Sequence, residues 1–183
     1  MSVCILVIDM LKDFVLEGAP LEVPKAREIV PNIRFLLEEA RKRKIPVVYV
    51  CDAHNEGDGE FDLWPAHAVK GTRGAEVIDE IKPQKGDYVV EKRRYSGFYE
   101  TDLDLTLREL GVRKLVVTGI LTNVCVQYTV ADAYFRGYEV VVLSDCTAST
   151  RDEDHEYSLG HMQRIFKARV MTSKEVVEKG FQI

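Results

Sequence analysis

The amino-acid sequence predicts an α/β fold, a three-layer α/β/α sandwich around a six-stranded, mostly parallel sheet of Rossmann-like type. Three observations carry that expectation. Short β-branched apolar runs alternate with amphipathic stretches of helical period, the pattern of a parallel sheet with crossover helices on both faces. Several runs are apolar at every position rather than at every second one, as strands buried on both faces are. With 183 residues, 46% of them apolar, the chain can fill one core, and a single domain over residues 1–183 is expected.

Residues 3–8 (Val-Cys-Ile-Leu-Val-Ile) form the first strand and end at Asp9. The ligand crevice of an open α/β sheet lies at the carboxyl ends of its strands, so Asp9 is a site candidate, with Asp13, Phe14 and the Gly18-Ala19-Pro20 turn as one wall. A turn cap is its plainer role. Ile33, Leu36, Leu37 and Ala40 recur at helical spacing and predict an amphipathic helix over 31–43, with Pro31 in its first turn. The second strand, 46–51, ends at Asp52, with His54 just beyond. Residues 55–72 are rich in Gly, Asp and Pro around Trp64-Pro65-Ala66-His67 and read as a long functional loop.

A short helix is expected over 75–81 and a third strand over 87–91, ending at Lys92. Residues 103–110 give a short helix with Gly111 as its C-cap. The fourth strand, 114–118, runs through Gly119 into a helix over 122–136 that Gly137 closes. The fifth, 138–143, ends at another acid, Asp145. A helix over 152–168, a sixth strand over 169–171 and a last helix over 173–178 complete the chain.

The net charge of −5 is interspersed, with no basic block to meet nucleic acid or an anionic membrane. No apolar run approaches the roughly 20 residues of a membrane span, and the amino terminus enters a strand at once, so a cytoplasmic location is expected. Cys4, Cys51, Cys125 and Cys146 are widely spaced and are expected to be thiols. A Gly-x-Gly-x-x-Gly turn, a phosphate loop and a Gly-x-Ser-x-Gly elbow are all missing, which removes nucleotide cofactors and serine hydrolysis from the reading.

The chemistry concentrates at strand ends. Thr122 reads as an N-cap that puts Cys125 at the third position of its helix, where free N–H groups and the helix dipole favour a thiolate. An inert core cysteine is the alternative there. Asp9, Lys92 and Cys125 fall at the same edge of the sheet: Asp9 can take the thiol proton, Lys92 can orient Asp9, and the Leu121 and Cys125 N–H groups can bind an oxyanion. Asp52, His54 and His67 offer one carboxylate and two imidazoles, a set that suits zinc with an open position, although polar loop residues would look the same. His155 and His161 fall on different faces of one helix and read as surface residues.

These residues resemble the cysteine hydrolases of the isochorismatase and nicotinamidase group over nearly the whole chain. The resemblance rests on Ile8-Asp9-Met10 with Asp13-Phe14, Asp52-Ala53-His54 with Trp64-Pro65-Ala66-His67, Gly71-Thr72 with Gly74-Ala75-Glu76, Lys92 with Tyr95-Ser96-Gly97-Phe98 and Thr101-Asp102-Leu103, and the run from Gly119 to Cys125. It implies an Asp9-Lys92-Cys125 triad that attacks a small amide through a thioester, and a cis peptide at Ile120-Leu121. It also implies a divalent metal, zinc, on Asp52, His54 and His67, a pocket that includes Phe14, Trp64, Tyr95 and Ile120, and a homo-oligomer. Ala53, Asn55 and Ala68 depart from the nicotinamidase pattern around the two histidines. Two alternatives stay open. One is vinyl-ether hydrolysis of isochorismate, with Arg93 and Arg94 receiving its carboxylates; the other is a small-ligand binding module without catalysis.

Overall fold

The computed structural model describes residues 2–183. Its sheet runs in the order β3-β2-β1-β4-β5-β6, from β1 (Ser2–Ile8), β2 (Val47–Asp52), β3 (Tyr88–Lys92), β4 (Val112–Ile120), β5 (Glu139–Ala148) and β6 (Arg169–Met171). Every pairing is parallel. The α-helices are α1 (Lys12–Val15), α2 (Ala26–Lys42), α3 (Leu103–Glu109), α4 (Gln127–Phe135), α5 (Asp152–Phe166) and α6 (Ser173–Glu178). Among the described residues no helix is long and apolar enough to cross a membrane.

The unbroken apolar run of β1 explains the layering. Successive side chains of a strand point to opposite faces. Ile5 and Val7 enter a core closed by Ile33, Leu36 and Leu37 of α2 and Val176 of α6. Cys4, Leu6 and Ile8 enter a second core closed by Leu103 and Leu107 of α3, Val130 and Ala133 of α4, and Leu159 and Met162 of α5. Each fully buried aliphatic side chain contributes roughly 1.5–3 kcal/mol, so a polar substitution in this strand would damage both layers. The chain leaves β1 toward β2 on one side and returns from β3 to β4 on the other, so the order reverses between β1 and β4. A crevice forms outside the carboxyl ends at such a switch point.

Several elements differ from the sequence expectation. Helix α2 starts at Ala26, so Pro31 sits inside it on the exposed face, where solvent can serve the carbonyl that the proline leaves unpaired. Residues 75–81 are not a helix but two 3₁₀ turns, Arg73–Ala75 and Asp79–Ile81, because Leu11 bridges Val77 and the Met10 carbonyl accepts the Ile78 N–H between them. Strand β5 continues through Asp145 to Ala148, resuming its pairing with Gly119 and Ile120 after a shift in register. Asp145 therefore ends no strand, and its carboxylate accepts the Ser173 N–H and hydroxyl at the start of α6. The four-residue helix α1, which begins three residues after Asp9, is too short to give a periodic signal.

Candidate active site

Four strand ends meet at the crevice. At the end of β4, Gly119 has φ +106°, and a Cβ there would stand 1.9 Å from the Ile8 carbonyl oxygen, so only glycine lets β4 lie this close to the end of β1. The Ile120–Leu121 peptide is cis. Residues Thr122–Val126 then form one π turn before α4. Leu121, not Thr122, precedes the turn; its carbonyl accepts the Val124 and Val126 N–H groups at 3.0 and 3.1 Å. The Thr122 hydroxyl instead meets His155 Nδ1 at 2.8 Å, and Asn123 Oδ1 accepts the Ser149 hydroxyl at 2.9 Å. Cys125 is thus the fourth residue of a π turn rather than the third of a capped helix. His155 is half-buried in this support, and half-buried His161 packs against Tyr157 and Phe166, so neither is a plain surface residue.

Asp9, Lys92 and Cys125 come together at the floor of this crevice. Lys92 Nζ lies 2.8 Å from Asp9 Oδ2, 2.5 Å from Asp52 Oδ1 and 3.5 Å from Cys125 Sγ. All four residues are buried. Asp9 has φ 51° and its Oδ1 accepts the Asp52 N–H at 2.8 Å, which fixes the carboxylate. Asp9 Oδ2 receives no well-directed hydrogen bond although Lys92 stands beside it, so that oxygen is open to a further donor.

Burial raises the Asp9 pKa, and the neighbouring Asp52 charge raises it further against the pull of Lys92. Burial opposes the Lys92 charge, but Asp52 and Asp9 outweigh it and hold the ammonium protonated. Cys125 is pushed well above the ordinary thiol range by burial, with Asp9 and Asp52 adding to the shift and Lys92 opposing it. The resting group is therefore a thiol. The thiolate expected from the helix start is overridden because a single π turn cannot offset burial between two carboxylates.

Asp52, His54 and His67 are also buried together, with one ligand atom of each within 4.8 Å of the others. Asp52 Oδ2 lies 3.6 Å from His54 Nε2 and 3.9 Å from His67 Nε2. His67 Nδ1 meets the Pro65 carbonyl at 2.7 Å, so Nδ1 carries the hydrogen and Nε2 presents a lone pair. Burial keeps the His67 pKa low and the ring neutral. Neither ring nitrogen of His54 makes a well-directed hydrogen bond; Nδ1 stands 3.4 Å from Asp58 Oδ2, and the buried Nε2 faces Asp52 and His67. Unsatisfied buried nitrogens are rare, and one facing a carboxylate and a second imidazole suits a cation. The residues fit a zinc-type ion.

The crevice is a cavity of about 240 Å³ bounded by Asp9, Asp52 and Cys125 below, with Phe14, Trp64, Tyr95 and Ile120 among its walls, as are Leu21, Val23 and Glu60. Trp64 Nε1 donates to the Tyr95 hydroxyl at 3.0 Å, tying the long loop to the segment after β3. Among the described residues no lysine or arginine lines the space itself, Lys92 being buried against Asp9, Asp52 and Cys125. Arg93 and Arg94, offered by the sequence to a substrate carboxylate, bind Asp58 instead, at 2.8 and 3.1 Å. Leu21, Val23, Glu60 and Asp58 were not singled out in the sequence. The first two precede α2 as ordinary apolar residues, and an Asp-Gly pair signals a turn without saying what the carboxylate faces.

Comparison with known proteins identifies the family. Residues 3–175 match the family model of the isochorismatase domain. An isochorismatase-like hydrolase from Alkaliphilus metalliredigens superimposes with TM-score 0.95 and 45% identity over 98% of this chain and 100% of that one. N-carbamoylsarcosine amidase from Thermoplasma acidophilum is similar at TM-score 0.87 and 39% identity, over 94% and 97% of the two chains. Pyrazinamidase of Pyrococcus horikoshii, in complex with zinc, matches at TM-score 0.88 and 29% identity over 94% of this chain and 99% of its own. The chain belongs to the isochorismatase family of hydrolases.

Proposed function

We propose that the protein is a cysteine-dependent amidohydrolase of nicotinamidase type, cleaving a small, uncharged amide through a thioester. The observation that carries this reading is the buried cluster in which one ammonium touches Asp9, Asp52 and Cys125 at the cavity floor. As Cys125 Sγ attacks the carbonyl carbon, its proton passes to Asp9 Oδ2. The C–N bond then breaks, Asp9 returns that proton to the departing nitrogen, and the acyl group stays on sulfur. Water attacks the thioester, giving one proton to Asp9, which passes it back to the leaving sulfur. Lys92 remains charged throughout and stabilises the carboxylates. The Leu121 and Cys125 N–H groups are the proposed donors to the oxyanion.

Asp52, His54 and His67 are the proposed holders of a divalent ion, zinc by donor type. When bound, such an ion supplies a Lewis-acid anchor for a substrate heteroatom. The similarity to a zinc-bound pyrazinamidase supports that assignment. The walls favour a flat apolar body, and the cavity lining, with four carboxylates (Asp9, Glu22, Asp52 and Glu60) against a single ammonium, Lys92, that Asp9 and Asp52 already engage, argues against a dicarboxylate such as isochorismate. We also propose a cytoplasmic location, supported by four free cysteines. A homo-oligomer is supported by the exposed aromatic side chains Tyr134, Phe135 and Tyr157 on α4 and α5.

Ammonia release across nicotinamide, pyrazinamide, N-carbamoyl and ureido amides, with isochorismate as control, tests the assignment. Neutral carboxamides should be hydrolysed best, and Cys125→Ser should abolish turnover while the melting curve stays near wild type. Turnover of isochorismate alone, or a Cys125→Ser variant within a few-fold of wild type, would overturn it.

A further inference from the structure

Asp58 sits in the long loop with a side chain that is 0% exposed, although the loop around it is polar and the two arginines that bind it are about half exposed. Its Oδ1 accepts the Glu60 N–H at 3.1 Å, which caps the 3₁₀ turn Gly59–Asp62. That turn needs only one oxygen, and an exposed aspartate would serve it. The second oxygen, Oδ2, accepts from Arg93 Nε at 2.8 Å and stands 3.4 Å from His54 Nδ1. An ionised carboxylate has no hydrogen to give, so the only donor available across that gap is an Nδ1–H on the imidazole. The His54 backbone is anchored on both sides, its N–H donating to the Ala68 carbonyl at 2.9 Å and its carbonyl accepting the Lys70 N–H at 2.8 Å, and its buried ring packs against Phe61 and His67.

We propose that Asp58 is a positioning residue for His54. Its carboxylate, locked by Arg93 and Arg94, keeps a hydrogen on Nδ1 and turns the Nε2 lone pair toward Asp52 and His67. This rests on the reading of Asp52, His54 and His67 as metal ligands, and it gives the two arginines a task away from substrate. A carboxylate behind a ligating imidazole fixes its tautomer and ring orientation, and losing such a partner lowers metal affinity roughly 10–100-fold.

The test uses full-length protein stripped of metal, wild type beside Asp58→Asn and Asp58→Ala. Zinc affinity is measured by competition with a chromogenic chelator, and the protonation of His54 by imidazole ¹⁵N NMR above the imidazole range. Asparagine keeps an oxygen for the Glu60 N–H but not the charge, so Asp58→Asn should fold and melt near wild type. It should bind zinc about tenfold more weakly and lose the Nδ1 proton signal in part; Asp58→Ala should bind about a hundredfold more weakly. A folded Asp58→Asn with wild-type zinc affinity would leave capping as the whole role and overturn the proposal. Wild-type protein that takes up no zinc removes the ligand reading instead. In that case the NMR arm still decides: an Nδ1 proton present in wild type and lost on substitution upholds the orienting contact, and its absence from wild type overturns it.

Discussion

At the scale of single residues, the decisive feature is one cation shared by three acidic groups. Removing Lys92 would leave Asp9 and Asp52 facing each other in a buried site, and breaking a buried pair destabilises by about 3–5 kcal/mol. Lys92→Met should therefore lower both turnover and stability. Asp9→Asn removes a charge whose burial is already unfavourable, so it should lower turnover on the order of a hundredfold while melting near wild type. Lys92 serves the proton transfer only through the Asp9 carboxylate beside it, so the double variant should be little slower than the worse single variant. Measured kcat/KM losses that multiply in the double variant would separate the residues and end the triad reading.

At the scale of elements, the turn after β4 depends on the backbone closeness of two neighbouring strands. Gly119→Ala would push a methyl group into the Ile8 carbonyl at a φ that side chains rarely adopt. We expect a loss of at least about 2 kcal/mol in urea unfolding, with Cys125 activity falling as the turn shifts. Unchanged stability would show that the strands can separate freely there. This same closeness marks what the sequence could and could not tell. The placement of Asp9, Lys92 and Cys125 at strand ends or a strand-to-helix joint was legible because the strands before them are short β-branched runs with local bounding residues. The extension of β5 beyond Leu143 was not, since it follows from pairing with Gly119 and Ile120, far away in the chain. Residues 75–81 misled for a similar reason. Val77, Ile78 and Ile81 have helical spacing, but contacts with Met10 and Leu11 hold the segment open. Cys125 was placed correctly at a strand-to-helix joint, while its protonation state was decided by burial and two distant carboxylates that no local motif encodes.

At the scale of the whole molecule, the reversal of strand order between β1 and β4 brings the ends of β1, β2, β3 and β4 to one crevice, and the long loop after β2 closes over it. That loop is tied down by Trp64 to Tyr95, by Asp58 to Arg93 and Arg94, and by the Ala68 N–H to Asp13 at 2.8 Å. His67 lies between these ties, so an ion held by Asp52, His54 and His67 would join the loop to β2 and stabilise the folded state alone. A ligand at a hundred times its dissociation constant adds about 2.7 kcal/mol, and each kcal/mol moves the melting temperature of a chain this size by about 2–4 °C. Zinc added to chelator-treated wild type should raise the melting temperature by about 5–10 °C on that basis. His67→Ala should abolish the shift and the amidase activity together, because the loop loses its ligand but keeps its other ties. Wild-type protein with full activity and identical melting with and without zinc would show that the two histidines only hydrogen-bond within the pocket.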